Sequence, residues 1–218
     1  FPKLLYGDGH AYGNPLSGSG TEASIGKLTV ADLLKFHATW FKPNHATLII
    51  VGDTTLKEIV PKLEKLFARW KPGAVPAKNL AAVEPQKKSS VYLIDRPGAI
   101  QSVILAGHVG LPKSDQDNIA VETMNTVLGG TFTSRVNLNL REDKHWSYGA
   151  RSNLAETRGQ RPWLLSAPVQ TDKTVESIQE IRRELADFLA ARPITADEVA
   201  RIRSRDVRAL SGQYETNA

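Results

Sequence analysis

The chain has 218 residues, of which 41% are hydrophobic and 23% are charged, as is ordinary for one large globular domain or two small ones. Its 28 Lys and Arg residues exceed its 23 Asp and Glu residues, but the two signs are interspersed, so the charge does not indicate a nucleic-acid-binding face. The absence of cysteine excludes disulfides and thiolate metal sites, and no apolar run approaches the roughly 20 residues of a membrane span.

The first part of the chain predicts a loop, a helix, a strand and a second helix, in that order. Residues 7–28 hold six glycines, and a loop of this length is expected to be functional or packed against another part of the protein. Thr29 and Asp32 form a capping box that begins a helix. The apolar run ATLIIV at 46–51 does not alternate with polar residues, which predicts a strand covered on both faces. An amphipathic helix over 56–70 follows it.

The middle of the chain predicts a linker and a hairpin. Residues 72–89 combine prolines with a lack of apolar periodicity, so they are predicted to be a linker. Residues 91–94 and 100–109 are predicted strands, and the turn residues at 95–98 between them favour an antiparallel hairpin.

The rest of the chain predicts three long helices, one short helix and two strands. The first helix is expected to end at a double glycine, Gly129-Gly130, that serves as its C-cap. The other predicted elements are a short helix up to Arg141, strands near 147–153 and 163–169, a helix over 174–190, and a last helix that begins at the capping box of Thr195 and Glu198.

Arg141 and Tyr148 are candidate ligand-binding residues. They lie seven positions apart, at the end of the short helix and in the strand after it, so their side chains could converge on one ligand. A guanidinium offers a planar fork of N–H donors and a phenol offers a hydroxyl, a combination that suits a carbonyl or carboxylate. Both residues also have a structural explanation, because arginine is favoured at helix C-termini and tyrosine in strands. The spacing alone leaves both interpretations open.

The segment LGGTFTSRVNLNLREDKHWSYGA resembles the C-terminal repeat of insulinase-like zinc peptidases, the relatives of pitrilysin and the mitochondrial processing peptidase. Three earlier stretches, HAYGNPLSGS, LTVADLLKFHATWFKPNHATLIIVGD and ILAGHVGLPKSD, look like other parts of that family's pattern in the same order. The resemblance covers nearly the whole chain. It implies an α+β fold in which an antiparallel-rich mixed sheet has helices packed on one side, as in one repeat of the family.

The resemblance also implies a division of the chain. Residues 1–71 would finish one family repeat, 72–89 would be the linker, and 90–218 would form most of the next repeat. The missing end of the second repeat is the kind of segment that residues 1–71 supply. We therefore hypothesise one circularly permuted α/β domain, or a homodimer in which two copies exchange these segments. Because the sequence begins Phe1-Pro2-Lys3 without Met, we interpret it as a piece of something longer.

Peptidases of this family hold zinc through an inverted His-x-x-Glu-His helix and a distant Glu. The metal needs imidazoles one helical turn apart, and the intervening Glu acts as base for the metal-bound water. No histidine of this chain has another within five residues, and neither His-x-x-Glu-His nor His-Glu-x-x-His occurs; the histidines are His10, His37, His45, His108 and His145. The chain is therefore expected to bind no cofactor and to be inactive alone, with zinc in a His-x-x-Glu-His-bearing partner domain or subunit.

The resemblance implies that Arg141 and Tyr148 bind the substrate main chain and help to stabilise the oxyanion. Ser134, Arg135 and Asn137 are expected to shape the same wall, although Arg135 alternatively caps a helix or pairs with a carboxylate. The implied substrate is a peptide or an unfolded protein, and the implied location is a bacterial periplasm or cell envelope.

The predicted function is thus the non-catalytic, substrate-binding part of a zinc metalloendopeptidase. One alternative is a structural or assembly protein of the same fold, as in the respiratory-complex core subunits that resemble these peptidases. Another is a stand-alone enzyme, which would require stoichiometric zinc in the purified chain.

Overall fold

The computed structural model describes residues 1–15 and 18–213. Its sheet has three antiparallel strands in the order β1-β3-β2, where β1 is Gln101–Pro112, β2 is Arg151–Leu154 and β3 is Gln160–Gln170. Val103 of β1 pairs with Pro168 of β3, and Arg151 of β2 pairs with Ser166. Helices cover one face of this sheet, so the predicted α+β class with an antiparallel-rich sheet is confirmed.

The helical elements of the described residues fall into three types. The α-helices are α1 Pro2–Tyr6, α2 Glu22–Ile25, α3 Val30–Trp40, α4 Leu56–Phe67, α5 Asn118–Asn125, α6 Arg135–Asn137, α7 Thr174–Leu189 and α8 Ala196–Gln213. Two π-helices follow α5 and α6 directly, namely π1 Thr126–Gly130 and π2 Leu138–Asp143. Short 3₁₀ turns lie at Ala11–Gly13, Pro43–His45 and Thr171–Lys173.

The hydrophobic core lies between the sheet and the helices of the second half of the chain. Along β3 every second side chain points inward, and Leu165, Ala167 and Val169 are each 0% exposed, as the two-residue period of a strand requires. Val136 and Leu140 cover them from α6 and π2 and are also 0% exposed. This core is therefore the support on which the segment between π2 and β2 rests.

The first part of the chain contacts the sheet at the N-terminal end of β3. The hydroxyl of Tyr6 donates to the main-chain carbonyl of Gln160 at 3.0 Å, and the amide side chain of Gln160 exchanges two hydrogen bonds with the main chain of Val83 at 2.6 and 3.2 Å. Burial is the main cause that raises the pKa of Tyr6 to about 12. The division into 1–71, 72–89 and 90–218 stays a prediction.

Two predicted strands are wrong. Residues 46–51 and 91–94 have no strand structure, with Ile49 81% and Leu93 93% exposed. The predicted hairpin is therefore also wrong, and β1 begins at Gln101 and pairs with β3 instead. An apolar run predicts burial, but a strand also needs a neighbouring edge that satisfies its hydrogen bonds. Neither run has such an edge among the residues that the structure describes.

The capping boxes are confirmed, whereas the predicted C-cap is not. Thr29 and Asp32 begin α3 with reciprocal hydrogen bonds, and the amide of Glu198 donates to the hydroxyl of Thr195 at 3.2 Å before α8. The double glycine predicted as a C-cap instead forms the end of π1, and Thr131 is the first residue outside it. Among the described residues, no helix combines the length and the apolar character that crossing a bilayer would require.

Candidate functional site

Arg141 and Tyr148 lie side by side at the protein surface. The guanidinium carbon of Arg141 is 5.2 Å from the centroid of the Tyr148 ring. Tyr148 is 85% exposed, and the Arg141 side chain is 28% exposed. The structure therefore brings these two residues together with the phenol accessible to a ligand.

The π-helix π2 positions Arg141. Such helices have i→i+5 hydrogen bonds and are frequent at functional sites. Here the amide of Lys144 donates to the carbonyl of Asn139 at 3.0 Å, and the amides of Trp146 and Ser147 both donate to the carbonyl of Leu140. Since Leu140 is 0% exposed in the core, it anchors this widened turn and leaves the neighbouring Arg141 at the surface.

Ser147 positions Tyr148. Its hydroxyl donates to the carbonyl of Pro168 at 2.6 Å and accepts from the amide of Gly149 at 3.1 Å, while its main chain forms a bridge with Val169. These contacts tie Ser147 to β3 and Gly149 to Ser147, so the residues on both sides of Tyr148 are held in place.

His145 makes the turn between Arg141 and Tyr148. It has a φ of 56°, in the left-handed region that L-residues seldom adopt. Its Nδ1 lies 3.0 Å from the carbonyl of Arg141, and its own carbonyl accepts from the side chain of Gln170 at 3.1 Å. These contacts stabilise a strained turn that reverses the chain between the two candidate residues.

Phe132 is a third member of the cluster, and sequence reasoning missed it. Its ring centroid is 4.4 Å from the guanidinium carbon of Arg141, and the side chain is 60% exposed. The guanidinium is thus in contact with two rings, a cation–π arrangement. The only sequence signal was the position of Phe132 just after the double glycine, which does not reveal the contact with a residue nine positions later.

Asn137 connects the loop of Phe132 to the segment of Tyr148. Its side-chain amide donates to the carbonyl of Phe132 at 2.6 Å, and its side-chain oxygen accepts from the amide of Ala150 at 3.0 Å. Asn137 is only 3% exposed, so both bonds are sheltered from water. Asn137 therefore fixes the loop of Phe132 relative to the segment that carries Tyr148.

Ser134 and Arg135 lie near the site in the sequence but serve the interior. Ser134 is 1% exposed. Arg135 donates to both carboxylate oxygens of Glu198 and to the carbonyl of Pro193, and its guanidinium carbon lies 5.0 Å from the Phe188 ring. The sequence left Arg135 three interpretations, namely shaping the wall of the site, capping a helix or pairing with a carboxylate, and the structure has it paired with a carboxylate.

Glu142 is an acid that lies beside the Arg141 guanidinium. One of its carboxylate oxygens lies 3.4 Å from Nε of Arg141, and its side chain is 48% exposed. A surface pair of this kind contributes little net energy, typically below about 1 kcal/mol. A ligand oxygen can therefore compete for the guanidinium.

The side chains that the structure describes do not match the donor set of a zinc site. Both ring nitrogens of His10 are engaged, Nδ1 with the amide of Tyr12 and Nε2 with the carbonyl of Ala81, while His108 stacks on Trp163 at 5.6 Å. Within 1–15 and 18–213, no group of three or more His, Cys, Asp or Glu residues could hold a metal ion.

Comparisons with known proteins agree on the family. A family model described as the peptidase M16 inactive domain matches residues 27–205. An uncharacterized zinc protease of Streptomyces coelicolor is 27% identical over 206 residues, which are 92% of this chain and 44% of that protein. The chain therefore spans less than half the length of this relative.

Solved structures show the same fold. A peptidase M16 inactive domain from Pseudomonas fluorescens has a TM-score of 0.81 at 24% identity, covering 99% of this chain and 50% of that one. A chain of Complex III2 from Candida albicans, with Inz-5 bound, has a TM-score of 0.73 at 16% identity, covering 97% of this chain and 50% of that one. These likenesses show the fold, and the family match over residues 27–205 establishes that the chain belongs to the insulinase-like M16 zinc-peptidase family, as an example of its inactive domain.

Proposed function

We propose that this chain is the substrate-binding, non-catalytic part of a zinc metalloendopeptidase, and that a domain or subunit with the His-x-x-Glu-His motif holds the zinc. The proposal rests chiefly on the 5.2 Å approach of the Arg141 guanidinium to the exposed Tyr148 ring. The zinc proteases among the relatives support the reaction class. The scattered histidines support the placement of the metal elsewhere.

The two side chains have complementary tasks on a peptide. Arg141 donates N–H groups to a main-chain carbonyl, and the Tyr148 hydroxyl donates to the same oxygen or to its neighbour along the chain. As the carbonyl becomes tetrahedral its oxygen gains negative charge, so both donors bind the transition state more tightly than the substrate. Because Tyr148 is 85% exposed in this chain, the water exclusion that strengthens such bonds has to come from the partner closing over it.

The test is peptide cleavage by the complete peptidase, meaning this chain together with its zinc-bearing domain or subunit. We expect Arg141→Ala and Tyr148→Phe each to lower kcat/KM by about 10²–10³-fold, the usual effect of removing one oxyanion donor. Arg182→Ala on the exposed face of α7 is the matched control and should leave the rate unchanged. Unchanged kcat/KM in both site variants would refute the proposal.

A structural or assembly protein is the second candidate. The likeness in fold to a chain of Complex III2 from Candida albicans favours it. The accessible phenol of Tyr148 argues against it, since a purely structural pair would be expected to be packed away from solvent. An assembly role would be supported if the chain formed a stable complex with its zinc-bearing partner whose peptide cleavage did not depend on Arg141 or Tyr148. Stoichiometric zinc in the purified chain would instead indicate a stand-alone enzyme.

A further inference from the structure

Phe132 occupies the border between the Arg141–Tyr148 pair and a cleft beside α8. On one side its ring lies 4.4 Å from the guanidinium carbon of Arg141. On the other side it lines a cleft of about 260 Å³, together with Thr131 of the same loop and Val127 of π1. Helix α8 lines the cleft through Glu198, Arg201, Ile202 and Arg205, and Thr126 and Thr133 also line it. Phe132 thus borders both the Arg141–Tyr148 pair and the cleft.

We propose that Phe132 and this cleft form a specificity subsite that binds one apolar side chain of the peptide whose main chain Arg141 and Tyr148 hold. The inference rests on the proposed function and adds to it a selection of substrates by side chain. The cleft is smaller than the roughly 300–1,000 Å³ of sites that enclose a whole small-molecule ligand. A single amino-acid side chain is a suitable occupant.

Three of the nine residues that line the cleft are apolar, and these favour an apolar occupant. Val127 is 6% exposed and Ile202 is 9% exposed, so these two belong to the hydrophobic core. Phe132, by contrast, is 60% exposed, and this is a large apolar ring left in water at the entrance. An apolar side chain that covers the ring removes this surface from water, which is favourable in proportion to the area covered.

Two of the charged side chains that line the cleft have partners outside it. Glu198 receives the two hydrogen bonds of Arg135, and Arg205 pairs with Asp206 at 2.7 Å. Arg201, and Arg205 from its exposed pair, are lining cations that an acidic side chain could reach. A preference for acidic residues is therefore the rival outcome, and the experiment below separates it from the apolar one.

The loop that carries Phe132 is held in place before any ligand arrives. The amide of Ser134 donates to the carbonyl of Thr131 at 3.1 Å, and Asn137 holds the carbonyl of Phe132 at 2.6 Å. A subsite on a fixed loop discriminates between side chains better than one that must first be ordered, because less conformational entropy is lost on binding.

The experiment measures kcat/KM of the complete peptidase on peptides in which each position flanking the cleaved bond carries Leu, Phe, Gln or Glu. At one position we expect about a tenfold preference for Leu or Phe over Gln, the size that hydrophobic pockets provide. Phe132→Ala should reduce the ratio of the rates on the Leu and Gln peptides to about twofold, whatever it does to the absolute rates, while Phe132→Leu should keep most of this ratio. Phe36→Ala, at an exposed phenylalanine of α3, is the matched control.

Three results would overturn the inference, and they differ in whether they also overturn the proposed function. If Arg141→Ala abolishes cleavage but Phe132→Ala leaves the side-chain preference intact, the subsite fails and the proposed function stands. If neither Arg141→Ala nor Tyr148→Phe affects cleavage, the proposed function fails and the subsite fails with it. A preference for Glu that Arg201→Ala removes would replace the apolar subsite with a cationic one.

Discussion

The guanidinium of Arg135 holds the carboxylate of Glu198 in a bidentate ion pair, through Nε at 2.9 Å and Nη2 at 2.7 Å. The two side chains are 14% and 16% exposed, and the pair fastens α6 to the first turn of α8. The hydrogen bond from Arg135 is the main cause that lowers the pKa of Glu198 from 4.5 to about 2. Since α8 covers the core through Ile202, this pair links an electrostatic contact to the packing of the domain.

The pKa of Glu198 predicts how stability depends on pH. A carboxylate whose folded pKa is lowered stabilises the protein fully above its unfolded pKa of 4.5, and the contribution is lost as the pH falls from there towards about 2. The difference of the two values corresponds to at most about 3 kcal/mol. Glu198→Gln should lower the free energy of unfolding at pH 7 and flatten its decline over the acid range. Urea titrations at several pH values test this, with exposed Glu64→Gln as control, and an equally steep decline in Glu198→Gln would contradict it.

The two hydrogen bonds of Asn137 connect parts of the candidate site, so we predict that their loss lowers the stability of the protein. Asn137→Ala removes a donor to Phe132 and an acceptor from Ala150 and leaves both main-chain groups without these partners, so it should cost about 2–3 kcal/mol. Asn137→Asp keeps an acceptor for Ala150 but loses the donor and places a carboxylate oxygen against the carbonyl of Phe132 at a position that is 3% exposed, so it should be at least as destabilising. Denaturant titration measures both variants against Asn153→Ala, which changes an exposed side chain of β2. A loss in Asn137→Ala no larger than in the control would contradict the bridging role.

At Gly129, π1 and β2 approach so closely that we predict a steric limit on any side chain at this position. A Cβ at this position would lie 2.4 Å from Oγ and 2.8 Å from the amide nitrogen of Ser152, closer than real contacts allow. Because the second of these atoms belongs to the main chain of a paired strand, Gly129→Ala must move π1 or β2, and we expect a loss of at least about 2 kcal/mol. Gly212→Ala in α8 is the control, since a Cβ there meets nothing within 4 Å and its φ is ordinary. A Gly129→Ala protein with an unchanged melting temperature would show that no such limit exists.

The features that the sequence predicted well depend on neighbours in the chain. The boxes at Thr29 and Thr195 are made by residues three positions apart, so they form wherever the helix forms. The strand at 163–169 could be identified because its alternate burial leaves an apolar pattern of period two. The proximity of Arg141 and Tyr148 followed from a short separation across a single turn.

The features that the sequence did not reveal depend on distant partners or on unusual backbone geometry. Whether the run at 46–51 forms a strand depends on an available edge, which composition cannot indicate. The contact of Phe132 with Arg141 requires the π-helical register of Leu138–Asp143, whereas a regular α-helix would have rotated Arg141 to another direction. The role of Gly129 as a point of close approach required the position of Ser152.

If the zinc is held by a partner as proposed, we predict that this partner covers the exposed apolar run at 46–51. Leu48, Ile49 and Val51 are 59%, 81% and 55% exposed in this chain, and apolar surfaces of this kind mark interaction sites. In the assembled peptidase we expect the amides of 46–51 to become protected from hydrogen exchange, because a strand formed against the partner would hydrogen-bond them. Mass spectrometry of the chain alone and in the complex measures this exchange, with Thr174–Leu189 as the internal reference whose exchange should not change.

The same surface can be tested by mutation. Ile49→Lys should weaken the association by at least about tenfold, since it places a charge in an apolar contact. Val175→Lys, at a residue 64% exposed on α7, should leave the affinity unchanged. Equal exchange of 46–51 in the two states, or equal affinities of the two lysine variants, would place the partner on another surface.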